Sequence, residues 1–275
     1  MRLGLIGHGA VATLAFEALE RNIATPFEAL ICLARPASAG KAAQWASRLS
    51  RSVARDVRIE TTLEAFLAAR PEVVAEAAGH EALAEAGPSV LAAGVDLIVS
   101  AVGALSDDAL RARLEEAARA SGAALIISPG AIGGLDILAA AKLSGLVEVL
   151  YTSRKPPLAW VGTKAGELVA LADLQKEAIF FEGTARDAAR LFPQNANVAA
   201  TIALAGAGLD ATRVRLIADP GVSHNQHEIA VRSACADLSI RIDGHPSPAN
   251  PKTSSTTGYA LAHLLLQRLS WQAGV

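Results

Sequence analysis

The stretch Gly4-Leu5-Ile6-Gly7-His8-Gly9-Ala10-Val11-Ala12 constrains the fold of this chain more than any other. An apolar run, Leu3 to Ile6, suits a buried first strand, and an alanine-rich helical stretch follows to about Arg21. Between them Gly7, Gly9 and Ala12 stand in the order G-x-G-x-x-A. Gly7 permits a sharp turn out of the strand, Gly9 lets the backbone approach a pyrophosphate, and Ala12 lets the helix pack closely on a sheet. The first helical residues, Ala10 and Val11, present amides to an anion at the positive end of the helix dipole. Small residues are common in an alanine-rich chain, so context decides. The motif follows a strand and opens a helix, which favours a dinucleotide-binding turn over a merely tight one.

Strands and helices then alternate. Residues 27–33 read as a second strand, 57–59 as a short third with a helix over 63–69, and 73–79, 95–103 and 123–128 as further apolar strands. Helices over about 80–93 and 107–121 separate the last three, and Pro88 is expected to break or restart the first of them. This alternation argues for right-handed crossovers and a parallel sheet. Strands end in small residues at Ala78-Gly79, Val102-Gly103 and Pro129-Gly130. A ligand of an open parallel sheet lies outside its carboxyl ends, so Gly79 and Gly103 join Gly7, Gly9, Ala10 and Val11 as candidate coenzyme contacts.

The second strand of such a fold normally closes with an acid that binds the adenosine ribose. Here the slot reads Leu33-Ala34-Arg35-Pro36. Arg35, with Ser38 or Lys41 nearby, suits a 2′-phosphate, because a guanidinium pairs bidentately with phosphate. It suits a solvated loop or adenine stacking equally well. The pattern favours acceptance of NADP over strict use of NAD.

From about Gly133 the character changes. Residues 135–143 read as helix, 147–153, 214–218, 230–236 and 238–242 as strands, and 185–191 and 197–207 as helices. Strict polar–apolar alternation over 238–242 is typical of a sheet with one face in water. A final helix is expected over 253–269, after the Pro248-Ala249-Asn250-Pro251 turn. The expected fold class is α/β: a Rossmann-type doubly wound parallel sheet over residues 1–130, completed by the C-terminal segment 248–275. Residues 131–247 form a second, smaller α/β domain carrying a mixed, mostly antiparallel sheet.

Composition narrows the functional classes. At 275 residues one large or two modest domains are expected, and 52% hydrophobic with 19% charged residues favours a well-buried enzyme. A net charge of −2 offers no basic footprint for nucleic acid and no polybasic membrane patch. No apolar run approaches the roughly 18–20 residues that span a membrane. Cys32 and Cys235 lie far apart, each in an apolar strand-like run, which argues against a disulfide framework and against thiol catalysis. Met1-Arg2 leads straight into a strand with no signal-peptide pattern, so a reducing cytoplasm is expected.

Hydride transfer asks for a bound nicotinamide, a substrate held against it and a group that manages a proton. Of six histidines, His8 and His263 read as structural or exposed, His245 as solvent-facing, and His80 as a neighbour of a strand end. His224 and His227 lie in a Pro-, Gly- and Asn-containing segment, 219–229, expected to be a loop between strands, a good place for function. With Glu228 their spacing matches neither a helical zinc motif nor a Cys/His site, so no metal is expected. Arg154-Lys155-Pro156-Pro157 and Asn250-Pro251-Lys252-Thr253-Ser254 are candidate anion contacts. The second would set Lys252, Thr253 and Ser254 at a helix start, where amides and the dipole also favour a carboxylate, or would be an ordinary helix cap.

Several segments in order carry a resemblance to a known family. They are Ser128-Pro129-Gly130-Ala131-Ile132-Gly133-Gly134-Leu135-Asp136, Thr152-Ser153-Arg154-Lys155-Pro156-Pro157 and Phe192-Pro193-Gln194-Asn195-Ala196-Asn197-Val198-Ala199-Ala200, then Ala218-Asp219-Pro220, Asn225-Gln226-His227-Glu228-Ile229 and the segment from Asn250 to Ser254. Along nearly its whole length the chain resembles the L-aspartate dehydrogenases. The resemblance implies a Rossmann domain joined to a smaller substrate domain, a homodimer, and oxidation of L-aspartate to iminoaspartate with NAD or NADP. The imine hydrolyses to oxaloacetate and ammonia or serves pyridine-nucleotide synthesis. By the same resemblance His227 matches the active-site histidine, and Ala131 and Asn197 match coenzyme contacts. Two features depart from the family: histidine at position 8 with alanine at 12 in the glycine turn, and the missing acid after the second strand.

Two other classes stay open on the residues alone. A reductase or dehydrogenase of another small amino or oxo dicarboxylic acid would share the first domain. A non-catalytic NAD(P)-binding sensor would bind coenzyme and turn nothing over.

Overall fold

Residues Arg2–Ile6 form strand β1 in the interior of a six-stranded sheet. The computed structural model describes residues 1–49, 51–193, 196–247 and 250–269, and the side chains of 250–253 lie outside the description. The chain divides into two units, Met1–Ser128 with Thr257–Val275, and Pro129–Thr256.

In the first unit β1 is followed by α1 (Ala10–Asn22), β2 (Phe27–Leu33), α2 (Ala39–Ala46), β3 (Ala54–Glu60), α3 (Leu63–Ala68), β4 (Val73–Glu76), α4 (His80–Ala92), β5 (Asp96–Val99), α5 (Asp108–Ser121) and β6 (Leu125–Ile127). The order is β3-β2-β1-β4-β5-β6 and every pairing is parallel. This is the doubly wound arrangement, and its strand order reverses between β1 and β4, where such sheets bind ligands. Apolar side chains hold the core together: Leu3 and Leu5 of β1 pack with Phe16 and Leu19 of α1, Phe27 and Leu30 of β2, and Val73 of β4. Each such burial contributes about 1.5–3 kcal/mol.

Pro88 does not break α4. The helix runs through it, with Leu83, Ala86, Gly87, Val90 and Leu91 buried on either side. Packing of that face outweighs the roughly 3 kcal/mol that an interior proline costs.

The second unit contains α6 (Leu135–Ser144), β7 (Leu146–Lys155), α7 (Ala165–Leu168), β8 (Ala178–Thr184), α8 (Ala185–Leu191), α9 (Ala196–Ala205), β9 (Arg213–Ala218), β10 (Asn225–Ser233), β11 (Asp237–Gly244), β12 (Pro246–Ser247) and β13 (Asn250–Ser254); α10 follows as Ser255–Leu269. Its five-stranded sheet has the order β11-β10-β7-β9-β8. Only β7 and β9 pair in parallel; the other pairings are antiparallel. β12 and β13 form a short antiparallel pair. From Thr257 onward α10 belongs to the first unit, within which a Cβ at Gly258 would come within 2.8 Å of Leu14 of α1.

Three sequence expectations are corrected here. His227 belongs to β10 rather than to a loop: it pairs with Ile242 of β11 and with Ser153 of β7. The polar run Asn225 to Glu228 conceals that strand, because strand alternation is legible only where alternate residues are apolar. Cys235 is exposed in the turn between β10 and β11, where the Ser233 hydroxyl bonds the Ala236 backbone, so it is not in an apolar strand. Lys252, Thr253 and Ser254 lie in β13, and the helix begins only at Ser255. β8 is an addition that the sequence pattern did not reveal, since its burial does not alternate cleanly. No helix of the described residues is long and apolar enough to cross a membrane.

Candidate active site

In the first unit the glycine turn leaves β1 at the strand-order reversal. Gly7 has φ +94°, and a Cβ there would lie 2.7 Å from the Cα of Ala78, so only glycine fits. Gly9 is the N-cap of α1, and no side chain caps the helix. A Cβ at Gly9 would meet nothing within 4 Å, and the first turn of α1, which begins Ala10-Val11, carries no acid. An uncapped amide end above an open glycine is a surface that a pyrophosphate fits. Two buried polar atoms of the neighbouring loops, His8 Nδ1 and Ser100 Oγ, have no hydrogen-bond partner among the described residues. These residues fit a dinucleotide coenzyme.

The other first-unit candidates are placed as follows. Gly79 is the N-cap of α4 with φ +133°. Gly103 is buried in a short 3-10 turn, Val102–Ser106, and its carbonyl accepts from the Ser106 hydroxyl at 2.7 Å. Arg35 is exposed just after β2, and the Ser38 hydroxyl donates to its carbonyl at 3.0 Å.

The chemistry of the second unit gathers on one face of its sheet. His227 is the register partner of Ser153. Strand side chains alternate, so Tyr151, Ser153 and Lys155 of β7 share the face of His227. All four are buried, with relative exposures of 1, 2, 8 and 4% for Tyr151, Ser153, Lys155 and His227. The Tyr151 hydroxyl lies 2.8 Å from His227 Nδ1, and the two rings stack with centroids 6.0 Å apart. Lys155 Nζ sits 4.7 Å from the centroid of Trp160, a cation–π contact. Trp160 is itself fixed by donating its indole N–H to the Ile217 carbonyl at 3.0 Å.

Burial sets the protonation of this row. It pushes Lys155 down from 10.5 to about 8. It also pushes His227 down to about 4, assisted by the positive charge of Lys155. That lies well below the ordinary imidazole value of about 6.5. Burial raises the Tyr151 phenol as well, against a hydrogen bond from Ser153. At neutral pH His227 is uncharged; with Nδ1 engaged by Tyr151, its second nitrogen offers one donor or one acceptor, according to tautomer. Lys155 exchanges a proton near pH 8. Such a row can orient a small polar substrate and move one proton.

Arg154 faces the other side of β7. It is ion-paired with Asp219 at 2.6 Å and with Glu177, so its charge is already answered. Of the Arg154-Lys155 pair, Lys155 is the one on the face of the buried row. The side chains of Lys252 and Thr253 lie outside the described residues, while Ser254 is buried with its hydroxyl 3.3 Å from that of Thr256. Ala131 is buried, and Asn197 is exposed in the first turn of α9, with its carbonyl accepting from the Thr201 hydroxyl at 2.8 Å. Among the described residues no group of three His, Cys, Asp or Glu is placed to hold a metal ion.

A protein of Ruegeria pomeroyi named L-aspartate dehydrogenase is 43% identical over 268 residues, spanning 98% of this chain and 92% of its own. The chain belongs to the L-aspartate dehydrogenase family. A second relative of that name, from Cupriavidus taiwanensis, is 41% identical over 98% of this chain and 97% of its own. The family described as aspartate dehydrogenase, C-terminal, matches residues 136–268, and that described as homoserine dehydrogenase, NAD binding domain, matches 7–128. Among solved structures, aspartate dehydrogenase from Thermotoga maritima aligns with a TM-score of 0.73 at 25% identity, covering 100% of this chain and 99% of that one.

The sequence pattern does not name Tyr151, the partner of His227, gives Lys155 only as a candidate anion contact, and passes over Glu76 at the end of β4. The signal for the first two is present: Tyr151, Ser153 and Lys155 stand at every second position of one strand, a polar row with period two. Only pairing with β10 shows that this row is buried beside His227.

Proposed function

We propose that this chain catalyses the NAD(P)-dependent oxidative deamination of L-aspartate to iminoaspartate, which hydrolyses to oxaloacetate and ammonia, together with the reverse reductive amination. The observation that carries the reading is the buried Tyr151–His227 pair with Lys155 on the same sheet face, in a chain of this family. Bound NAD or NADP would supply the nicotinamide that accepts the substrate hydride. Gly7, Gly9, Ala10 and Val11 would hold its pyrophosphate, with Gly79 and Gly103 as further contacts; Arg35 would meet a 2′-phosphate, and Ala131 and Asn197 would contact the nicotinamide half.

Deamination requires the substrate amine without its extra proton. Lys155, at about 8, is a far better acceptor for that proton than His227 at about 4. Lys155 therefore takes the proton, and neutral His227 hydrogen-bonds the amine, its ring held by Tyr151. In the reverse direction the same lysine returns the proton. Lys252, Thr253 and Ser254 complete the reading as donors to the substrate carboxylates. Free Cys32 and Cys235 suit a reducing cytoplasm, and the exposed Leu143, Val147 and Leu158 of the second unit suit association into a homodimer.

A panel of L-aspartate, other small amino acids and their oxo acids, with either coenzyme, tests the assignment. Turnover confined to L-aspartate and oxaloacetate plus ammonia is expected. Preference for another acid, or coenzyme binding with no turnover at all, would overturn it.

A further inference from the structure

Glu76 ends β4 and has no exposed surface. One carboxylate oxygen accepts the backbone N–H groups of Ala78 and Gly79, both at 2.7 Å. The other accepts those of Ala101 at 2.9 Å and Ser100 at 3.2 Å. The loops leaving the carboxyl ends of two neighbouring strands, β4 and β5, are thus tied to a single side chain. A third joins them through packing, since Gly7 of the glycine turn lies against the Ala78 that Glu76 fixes. All four groups on the carboxylate are donors. A protonated or amidated side chain would turn a hydrogen toward donors, so the arrangement describes an ionised carboxylate. Burial raises its pKa, and the four amides oppose that rise.

Burying a charge costs several kcal/mol unless it is fully hydrogen-bonded, and here four backbone amides supply those bonds. What a carboxylate adds is a fixed geometry for four amides. Both loops it holds lie at the carboxyl edge of the sheet, beside the strand-order reversal. On the same edge, a Cβ at Gly79 would meet nothing within 4 Å, and Ser100 Oγ is buried without a partner among the described residues.

We propose that Glu76 is a positioning residue for the coenzyme: its carboxylate sets the β4–α4 loop and the loop after β5 in their coenzyme-binding conformation before coenzyme arrives. The proposal rests on the coenzyme-binding reading of the glycine turn. Glu76 does not touch the reacting atoms and acts through the two loops.

The test combines calorimetric titration of NADH and NADPH into wild type and Glu76→Gln with amide hydrogen exchange. In Glu76→Gln one oxygen position becomes an NH2 facing two backbone N–H groups. Coenzyme Kd should rise at least tenfold, while KM for L-aspartate at saturating coenzyme stays within twofold. Faster exchange should be confined to Ala78, Gly79, Ser100 and Ala101. An unchanged Kd, or an exchange increase spread evenly through β1, β2 and β4, would overturn the proposal, since a purely structural role predicts the latter. If the variant does not fold, the wild type decides. Equal protection of the four amides with and without coenzyme supports preorganisation, and protection that appears only with coenzyme contradicts it. A wild type that binds neither coenzyme would instead remove the underlying reading, and the proposal with it.

Discussion

The hydroxyl of Tyr151 meets Nδ1 of His227 at 2.8 Å, between adjacent strands of one sheet. The contact uses one ring nitrogen of a buried, uncharged imidazole and so fixes which nitrogen faces outward from the pair. Tyr151 thereby orients a residue that by itself could rotate about two side-chain bonds.

Removing either partner should be felt in the chemical step. His227→Ala is expected to lower kcat/KM for L-aspartate by about 10²–10⁴-fold, the range for a positioned acid–base or orienting group. Tyr151→Phe leaves His227 Nδ1 buried without its partner, at a cost of about 1–3 kcal/mol, and should lower kcat/KM by about 10–100-fold. Coenzyme Kd should stay within twofold in both. Steady-state kinetics beside direct coenzyme titration would show whether the losses fall on the chemistry.

Lys155 should destabilise the fold it serves. Its folded pKa of about 8 lies below the ordinary 10.5, so the folded protein binds fewer protons between those values and gains stability as pH rises through that window. Fully expressed below pH 8, the burden is about 3 kcal/mol. Lys155→Met is expected to be more stable than wild type at pH 7, to lose that advantage toward pH 10.5, and to turn over negligibly. Denaturant unfolding at several pH values checks the sign. A variant less stable than wild type at pH 7 would contradict the assigned cost.

Acid acts on the same row through His227. Its folded value of about 4 lies below the ordinary 6.5, so stability falls as pH drops from 6.5 toward 4. Turnover should follow Lys155: kcat/KM is expected to climb through about pH 8 with no inflection near 6.5. A pH–rate profile dominated by a group near 6.5 would contradict Lys155 as the proton acceptor and point to an imidazole instead.

Arg35 offers a reading of coenzyme choice. Arg35→Ala should raise KM for NADP about tenfold and leave KM for NAD within twofold, because only NADP carries the 2′-phosphate that a guanidinium pairs with. Parallel kinetics with both coenzymes measures this, and equal changes would reassign Arg35 to a solvated loop.

Much of the fold is legible in the sequence because its signals are local. The glycine turn after an apolar strand, and small residues closing β4 and β5, describe a parallel sheet with its ligand edge. The second unit is legible only in part. His227 hides in a strand whose first four residues are polar, and β8 lacks an alternating burial pattern. The expected helix start at Thr253 is instead a strand paired to the neighbouring β12, a local pairing that the Ser/Thr-rich run did not reveal. The electrostatics were the least visible part. Burial lowers both Lys155 and His227, the charge of Lys155 lowers His227 further, and Glu76 gathers amides from residues up to 25 positions away.

The most direct measurement follows NAD(P)H absorbance as purified protein meets L-aspartate with each coenzyme, then oxaloacetate with ammonia and reduced coenzyme. The account predicts reduction in the first mixture and oxidation in the second, both abolished when Lys155→Met replaces the wild type. Coenzyme binding without turnover in either direction would contradict it, leaving a nucleotide-binding first unit and a second unit whose buried Tyr151–His227 pair serves some other small molecule.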